Sequence, residues 1–319
     1  MRFAPASASP RPTEAEMIRT LRELREQASS MPPRTIAVAD AAADLTLQAV
    51  AEAHRLGWAE AILVGDESAI RRRLEAMELA PDGFQLVHRP GKRAAAETAV
   101  ALVRAGDADL LLKGAVSTPE LIRAVLDQES GLRTGRLLSD VFLIEYAGPG
   151  PARLVGITDG GITPFPDLEQ KEAILLNAVQ VFHALGVDEP LVAVLSGTEK
   201  PTPKLPGSMD AERLAAMHQA GAFRQCVVDG PLAMDLALSA EAAALKGIAS
   251  PVAGKADILV FPTLEAANIT AKAIQYWTCQ DPGHVVVGAS APVLIPSRAE
   301  SARARLNAIA LGLLLAGDG

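Results

Sequence analysis

Short apolar segments alternate with longer amphipathic segments along most of the 319-residue chain, beginning near Arg34. The short segments are built largely from Ala, Val, Leu and Ile, so we predict strands that are buried on both faces. The longer segments carry apolar residues three to four positions apart, which predicts amphipathic helices. The predicted strands are 35–39, 61–64, 85–88, 108–112, 141–145, 154–157, 191–195, 225–228, 258–261, 285–287 and 293–295, and the clearest helices are 44–56, 68–77, 94–105 and 118–127.

Buried strands that alternate with helices predict an α/β fold, with a mainly parallel sheet and flanking helices. Before this region, residues 1–12 are rich in Ala, Pro and Ser, and we expect them to be loose. Residues 13–27 have apolar positions at helical spacing and predict an opening helix that ends before Pro32. No repeat with a period of about 20–50 residues is visible, which argues against a solenoid.

The amino-acid composition argues against several functions for a protein with this fold. Aromatic residues make up only 3% of the chain, which argues against the aromatic platforms that bind single-stranded nucleic acids. The net charge is −8 without a block of Lys and Arg, so we expect neither a nucleic-acid partner nor an anionic-membrane partner. No apolar run approaches the ~18–20 residues of a membrane span. Cys226 and Cys279 are too few for a disulfide framework, and we expect a cytoplasmic protein.

The polar segments after predicted strands carry most of the candidate chemistry, because parallel α/β sheets bind ligands at the carboxyl ends of their strands. The segment from Lys113 to Thr118 follows the strand at 108–112. Gly114 allows close backbone approach, Ser117 or Thr118 can cap the next helix, and Lys113 supplies a positive charge. These residues suit an anion-binding turn, and a simple helix cap explains the same pattern.

A second segment, 131–139, places two arginines among glycines and hydroxyls. Arg133 and Arg136 lie near Thr134 and Ser139. Guanidinium groups bind phosphate or carboxylate through two parallel hydrogen bonds, so the segment is a candidate anion site. A solvated turn is the alternative interpretation.

Two further candidates follow later strands. Asp229 comes after the predicted strand at 225–228 and would either orient a ligand or cap its turn. Ser297 and Arg298 follow the strand at 293–295 and precede a helix predicted to run through Leu315. The Ser297 hydroxyl is a candidate N-cap for this helix, and both side chains would point into the crevice. A plain N-cap beside an exposed arginine is the alternative.

Several common catalytic and metal-binding motifs are absent. The sequence contains no GxGxxG, no GxxxxGK[ST] and no GxSxG segment. The five histidines are dispersed and show no metal-ligand spacing, so we predict no metal site. The residues by themselves therefore indicate an α/β enzyme with an anion-binding crevice.

Longer segments resemble the phosphate acetyl- and butyryltransferase family, and phosphate butyryltransferases in particular. The resemblance is collinear over roughly residues 15 to 316. It is carried by KGAVSTPELIRAVLDQESGLRTGRLLS from Lys113, TD at 158–159, PDLEQK from Pro166, DGPLAMDLALS from Asp229, VAGKADILVFP from Val252, LEAANITAKA from Leu264 and VGASAPVLIPSRAESARARLNAIAL from Val287.

The resemblance implies a two-domain fold related to isocitrate and isopropylmalate dehydrogenases, with the active site in the cleft between domains. Residues 1–140 and 289–319 would form one domain, and residues 141–288 the other. It also implies a homodimer or higher homo-oligomer. The partners would be acyl-CoA and phosphate, or acyl phosphate and coenzyme A, with coenzyme A as a substrate and no bound cofactor.

The implied reaction is direct acyl transfer, in which the coenzyme A thiolate attacks an acyl phosphate and phosphate leaves. The family's Ser-Arg pair falls on Ser297 and Arg298, which we assign as catalytic. Glu300 occupies the place of an Asp common in the butyryl branch and is the candidate base, whereas Ala304 occupies the position of the acetyl-branch Asp. The candidate substrate-binding residues are Lys113, Gly114, Ser117, Thr118, Arg133, Thr134, Ser139, Asp159, Asp229, Asn268 and Lys272.

Departures from the family pattern keep other functions open. Residues 160–165 and Ala271 differ from the usual sequence, which is consistent with a changed acyl pocket or with an acyl-CoA-binding paralogue that has lost turnover. A metal- and NAD-dependent hydroxyacid dehydrogenase would need more strand-end acids than Asp159 and Asp229. The butyryl-type segments favour a butyryl-like substrate over acetyl, although one methylene changes binding by only ~1–3 kcal/mol.

Overall fold

The computed structural model describes residues 17–148 and 152–317. The prediction for residues 1–12 and the start of the helix predicted at 13–27 lie outside these ranges. The first part of the chain contains α1 (Leu21–Ser30), β1 (Arg34–Ala39), α2 (Asp44–Arg55), β2 (Ala59–Gly65), α3 (Glu67–Ala76), β3 (Gln85–His88), α4 (Lys92–Ala105), β4 (Leu110–Lys113) and α5 (Thr118–Val125).

The middle and last parts continue the alternation of strands and helices. They contain β5 (Ser139–Tyr146), β6 (Arg153–Thr158), α6 (Leu168–Ala184), β7 (Leu191–Leu195), α7 (Pro206–Gln219), β8 (Val227–Leu232), α8 (Met234–Leu238), α9 (Ala240–Leu245), β9 (Ile258–Val260), α10 (Leu264–Thr278), β10 (Gly283–Val287), β11 (Val293–Leu294) and α11 (Ala302–Ala316). No helix of the described ranges is long and apolar enough to cross a membrane.

Eleven strands of the described residues form one sheet in the order β3-β2-β1-β4-β11-β10-β5-β6-β9-β7-β8. Most neighbours are parallel, and the exceptions surround β10 and β5: β10 pairs antiparallel with β11 and β5, and β5 pairs antiparallel with β6. The predicted mixed α/β fold with a mainly parallel sheet is confirmed. The predicted domain boundaries fall inside β5 and between β10 and β11, and the division into two domains stays a prediction.

Alternation along β1 shows why the strands are apolar on both faces. Ile36 and Val38 pack into one hydrophobic cluster with α2, α3 and α11, whereas Ala37 and Ala39 pack into another with α4 and α5. Because successive side chains of a strand point to opposite faces, helices on both faces require an unbroken apolar segment. A third cluster lies around β7, β9 and α8 in the other half of the sheet.

Helix caps explain several of the family-like segments. The Ser117 Oγ atom accepts a hydrogen bond from the Glu120 backbone N–H, and the Glu120 side chain accepts one from the Ser117 backbone N–H. These two hydrogen bonds form a capping box at the start of α5. Asp167 and Gln170 form an equivalent capping box at the start of α6. The predicted cap at Ser117 is therefore confirmed, and part of each segment serves helix initiation.

Two details of the predicted elements are wrong. Ser301, and not Ser297, caps α11, since the Ser301 Oγ atom accepts from the Ala304 N–H at 3.0 Å. Ser297 lies at the start of a turn between β11 and α11. Asp229 lies inside β8 and not after it, because pairing with β7 continues to Leu232 beyond an irregularity in register.

Candidate active site

A cleft of about 490 Å³ opens where the carboxyl end of β4 meets β5, β10, the segment after β11 and α10. Eight of the candidate residues predicted from the sequence line it together: Lys113, Ser117, Thr118, Asn268, Lys272, Ser297, Arg298 and Glu300. Other side chains that line the cleft include Asp140, Phe142, Leu264, His284 and Ile295. The cleft therefore unites distant segments into one site.

Three cationic side chains line the cleft. Lys113, Lys272 and Arg298 line it, and within the described residues the two carboxylates of the cleft pair with His284 instead of with these cations. Burial of Lys113, reinforced by the neighbouring charges of Arg305 and Arg298, lowers its pKa to about 8, although Glu300 opposes this shift. A lysine held in this way gains most from an anionic ligand, because that ligand supplies the missing counter-charge.

The turn that carries Ser297, Arg298 and Glu300 is held in place by a residue of α11. The buried Arg305 side chain donates from its Nη2 atom to the Ser297 carbonyl at 2.8 Å and from Nη1 to Thr46 Oγ1 at 3.2 Å. Glu300 closes the segment with a backbone hydrogen bond to the Ser297 carbonyl at 3.1 Å. Arg298 itself remains exposed at the edge of the cleft, where its guanidinium is available to a ligand.

Buried acids and a histidine form the floor of the cleft. The His284 Nδ1 atom lies 3.1 Å from Asp140 Oδ1, and the Nε2 atom lies 3.2 Å from Glu300 Oε2. Asp140, His284 and Glu300 are exposed by only 0%, 2% and 2%. The Phe142 ring stacks on the imidazole with 4.4 Å between centroids, as expected from strand pairing that sets Phe142 opposite His284.

The positions of both ring nitrogens determine the charge of His284. Each nitrogen faces a carboxylate oxygen, and only a protonated imidazole can donate from both nitrogens. Burial alone would lower the pKa of His284, but the charges of Asp140 and Glu300 outweigh it and raise the pKa to about 10. Burial correspondingly opposes ionisation of Glu300, and His284 outweighs that effect, so the pKa of Glu300 falls below its usual value. Glu300 therefore faces the cleft as a carboxylate.

Asp159 organises the loop that forms one wall of the cleft. Its Oδ1 atom accepts from the N–H groups of Gly161 at 2.9 Å and Ile162 at 3.1 Å, and its Oδ2 atom accepts from Thr163 at 2.8 Å. Oδ1 also accepts from the Asp140 N–H at 3.1 Å. Burial raises the pKa of Asp159 to about 6, against the lowering effect of these hydrogen bonds. The predicted site residue Asp159 thus shapes the cleft without lining it.

Two more predicted residues have local structural contacts. Asn268 donates from Nδ2 to the Gly160 carbonyl at 2.8 Å and so joins α10 to the cleft loop. A side chain at Gly114 would place its Cβ atom 2.2 Å from the Asp40 carbonyl oxygen, so only glycine lets β4 end this close to β1.

Besides Gly114 and Asp159, four predicted residues do not line the cleft. Arg133 is exposed beside a bridge to Ala289, and Thr134 donates to the Gly288 carbonyl at 2.6 Å. Ser139 is buried and accepts from Asn177 Nδ2 at 2.8 Å. Asp229 lies in β8 at the edge of the sheet and accepts from the adjacent Gly230 N–H.

Sequence reasoning missed Asp140, Phe142, His284 and Arg305. The first three lie inside strands, where a search of strand ends does not look, and Arg305 lies within a helix. A signal was present in the sequence, because His284 directly precedes the predicted strand at 285–287 and Asp140 directly precedes the predicted strand at 141–145. Charged residues next to buried strands would have identified both. Within residues 17–148 and 152–317, no group of three or more His, Cys, Asp or Glu is arranged to hold a metal ion.

In the part of the chain that the structure describes, the cations of the cleft form no ion pair and lie near a buried carboxylate, which suits the site to bind an anionic substrate and to move a proton. Residues 89–313 match the protein family described as "Phosphate acetyl/butaryl transferase". The match covers more than half of the chain, and the chain belongs to this family.

Individual relatives span almost the whole chain. A phosphate butyryltransferase of Clostridium acetobutylicum is 41% identical over 302 residues, which are 95% of this chain and 100% of the relative. A phosphate acetyltransferase of Rhizobium meliloti is also 41% identical, over 89% of each chain. Among solved structures, a branched-chain phosphotransacylase from Enterococcus faecalis V583 superposes with a TM-score of 0.77 at 28% identity and covers 89% of this chain and 99% of its own.

Proposed function

We propose that the protein transfers a short acyl group between coenzyme A and inorganic phosphate. The observation that carries this proposal is the cleft itself, in which Lys113, Lys272 and Arg298 surround the ionised Glu300. Acyl transfer from an acyl phosphate to coenzyme A needs cations for the phosphate and a base for the thiol, and these are the groups that the cleft provides. Membership of the phosphate acetyl/butyryl transferase family supports the same reaction.

The proposed reaction assigns one role to each group. Glu300 takes the proton from the coenzyme A thiol, whose pKa of about 8.5 leaves it mostly protonated at neutral pH. The thiolate attacks the carbonyl carbon of an acyl phosphate, and a C–S bond forms. The C–O bond to the phosphoryl group then breaks, and phosphate leaves with the bonding electron pair. In the reverse direction phosphate attacks the acyl-CoA.

The charges of the reaction have partners in the cleft. Arg298 and Lys113 hold the phosphoryl oxygens, since two cations stabilise the negative charge that grows on the leaving group. The Ser297 and Thr118 hydroxyls are the candidate donors to the carbonyl oxygen as it becomes an oxyanion. This proposal gives no role in the reaction to four of the predicted residues, Arg133, Thr134, Ser139 and Asp229.

A butyryl-like acyl group is the preferred substrate in this proposal. The side chains of Phe142, Leu264 and Ile295 give the cleft an apolar portion in which a short aliphatic chain can be buried. The Clostridium acetobutylicum relative is named a phosphate butyryltransferase, and a relative of equal identity is named an acetyltransferase. The preference therefore rests on the apolar lining together with the butyryl-type segments.

From the resemblance we also propose the wider architecture. Residues 1–140 with 289–319 would form one domain and residues 141–288 the other, in an arrangement like that of isocitrate dehydrogenases. The cleft would lie between them, and two or more copies would associate. Coenzyme A would act as a substrate without a bound cofactor, and the protein would work in the cytoplasm.

The test incubates the purified protein with phosphate and a series of acyl-CoAs, from acetyl to butyryl and branched forms, and follows the release of free thiol. We expect phosphate-dependent release with the highest kcat/KM for butyryl-CoA or a branched analogue. Tight acyl-CoA binding by calorimetry without thiol release would instead identify a binding paralogue. Reduction of NAD by a hydroxyacid with added metal would identify a dehydrogenase, and either result would overturn the proposal.

A further inference from the structure

Asp140, His284 and Glu300 form a row of side chains. The backbone of Asp140 is held in place at one end of this row, and Glu300 has a free acceptor atom among the described residues at the other. The Asp140 backbone is held on both sides, because its N–H donates to Asp159 at 3.1 Å and its carbonyl accepts from the Thr158 hydroxyl at 2.9 Å. Glu300 lies at the opposite end and lines the cleft. Its Oε2 atom contacts His284, and within the described residues no hydrogen bond occupies Oε1. One acceptor atom of Glu300 is therefore available to a substrate.

Stability alone does not account for this arrangement. Burying charges carries a desolvation cost, and apolar side chains of similar volume often serve stability as well as a buried ion pair does. Here two carboxylates share one imidazolium, so the row keeps an excess negative charge. That charge lies at the surface of the cleft, beside its cations.

We propose that His284 and Asp140 are positioning residues that orient Glu300 as the proton acceptor of the transfer reaction. Asp140 fixes the imidazole ring, and the ring fixes Oε2 of Glu300, which leaves Oε1 directed to the thiol. This inference deepens the proposed function and rests on it.

The proton balance of the step involves only Glu300. The S–H bond of coenzyme A breaks as an O–H bond forms on the Glu300 carboxylate, and the sulfur keeps the electron pair with which it attacks the carbonyl carbon. His284 remains protonated throughout and neither accepts nor donates the transferred proton. After the product leaves, Glu300 returns its proton to solvent.

The charged groups around Glu300 determine the expected response to pH. They are His284 from β10 with Asp140 behind it, Lys113 from β4, Lys272 from α10, Arg305 from α11 and Arg298 from its own segment. Of these, His284 makes the direct hydrogen bond and contributes the largest favourable charge. Without His284, burial opposes the ionisation of Glu300 with less compensation, and the pKa of Glu300 rises. Glu300 would then stay protonated, and unable to act as a base, up to a higher pH than in the unaltered protein.

The experiment supplies acyl phosphate and coenzyme A, the direction in which Glu300 acts as the base, and measures kcat for the consumption of free thiol between pH 5.5 and 9. Each variant's value is divided by that of the unaltered protein at the same pH. For His284→Gln we expect a ratio near one at pH 9 that falls to about one-tenth or less at pH 5.5, since one unit of pKa is a tenfold change. Asp140→Asn should change the ratio in the same direction but less. Glu300→Gln should lower kcat about 100-fold or more at every pH, and Glu300→Asp should restore part of it.

The matched control is Asp210→Asn, which disrupts a buried ion pair outside the cleft. Its ratio should not depend on pH. A constant ratio for His284→Gln, or full turnover by Glu300→Gln, would overturn the inference while the proposed function stands. If His284→Gln does not fold, as judged by circular dichroism, Asp140→Asn decides in the same way. No thiol release from the unaltered protein would overturn both the inference and the proposed function.

Discussion

Two ion groups within residues 17–148 and 152–317 have different surroundings, although each contains a buried cation. In the first, the His284 ring stands between Asp140 and Glu300 on the floor of the cleft. In the second, the Lys171 Nζ atom of α6 lies 2.7 Å from Asp210 Oδ2 of α7. In the second group, Asp210 pairs with the buried Lys171 and has a longer contact of 3.9 Å with the exposed Arg213, and the group lies away from the cleft. The first has two anions for one cation and faces the cleft.

This difference separates a binding site from a structural contact. Both groups pay to remove charges from water, so burial of charge does not by itself indicate function. What distinguishes the group of Asp140, His284 and Glu300 is that, among the residues that the structure describes, one acceptor atom of Glu300 and the three cations of the cleft have no partner. The Lys171–Asp210 pair is complete within the fold and joins two helices. The following predictions test this distinction, from the largest expected effect on turnover to the smallest.

Replacing Arg298 should have the largest effect among them. Arg298→Gln removes the exposed guanidinium at the edge of the cleft, and we expect kcat/KM to fall about 10²- to 10³-fold, as is typical when a donor to transition-state charge is removed. The thermal midpoint should be unchanged, because the side chain is exposed. Steady-state kinetics and a thermal melt measure the two effects.

The control for this variant is Arg303→Gln, which removes another exposed arginine five residues along the chain. It does not line the cleft, and its activity should stay within about twofold of the unaltered protein. Equal losses from both variants would show that the overall charge of this surface matters, and not the position of Arg298.

Replacing Gly161 with alanine should weaken the contact between Asp140 and His284 without removing any side chain of the Asp140–His284–Glu300 row. An alanine Cβ atom would lie 2.5 Å from Asp140 Oδ2, so the carboxylate must shift from its present position beside His284. We expect Gly161→Ala to lower kcat for thiol consumption about tenfold near pH 6, with recovery toward pH 9. Gly197→Ala is the control, because its Cβ atom would meet nothing within 4 Å. Identical pH profiles for the two variants would contradict the role of Asp140.

The charge of Lys113 should limit phosphate binding at alkaline pH. Its pKa is lowered to about 8, so the ammonium is mostly present at pH 7 and is lost as the pH rises through 8. We therefore expect the KM for phosphate to rise several-fold between pH 7 and 9.5. Lys113→Met should raise KM at pH 7 and flatten this dependence. The exposed Lys200 provides the control, since Lys200→Met should keep the profile of the unaltered protein.

The fold could be predicted from the sequence because its signal is local. A strand that is covered by helices on both faces must be apolar along its buried part, as β7 is and as β1 is from Ile36 to Ala39, and such segments are visible one by one. Likewise, the cap at Ser117 is specified by Glu120 three residues later. The start of α11 was predicted too early because Ser297 and Ser301 are both acceptable caps, and the choice depends on Arg305, which holds the Ser297 carbonyl.

The candidate site was predicted only in part because it depends on strand order. Lys113 and Asp229 were selected by the same rule, yet β4 lies next to β11 in the sheet whereas β8 lies at its edge. His284 and Asp140 are 144 residues apart and meet because β5 and β10 pair antiparallel. Residue spacing carries no information on such pairing, so a single sequence cannot supply these contacts.

The Lys171–Asp210 pair should affect stability and leave turnover unchanged. Asp210→Asn leaves the Lys171 ammonium, only 5% exposed, without a full counter-charge, and we expect a loss of about 3 kcal/mol in the free energy of unfolding. Lys171→Met should cost less, because Asp210 is 18% exposed and retains Arg213 at 3.9 Å. Denaturant unfolding gives the two losses, and thiol release gives kcat. A larger loss for Lys171→Met would reverse the expected order, and a pH-dependent change in kcat for either variant would remove the distinction between the two ion groups.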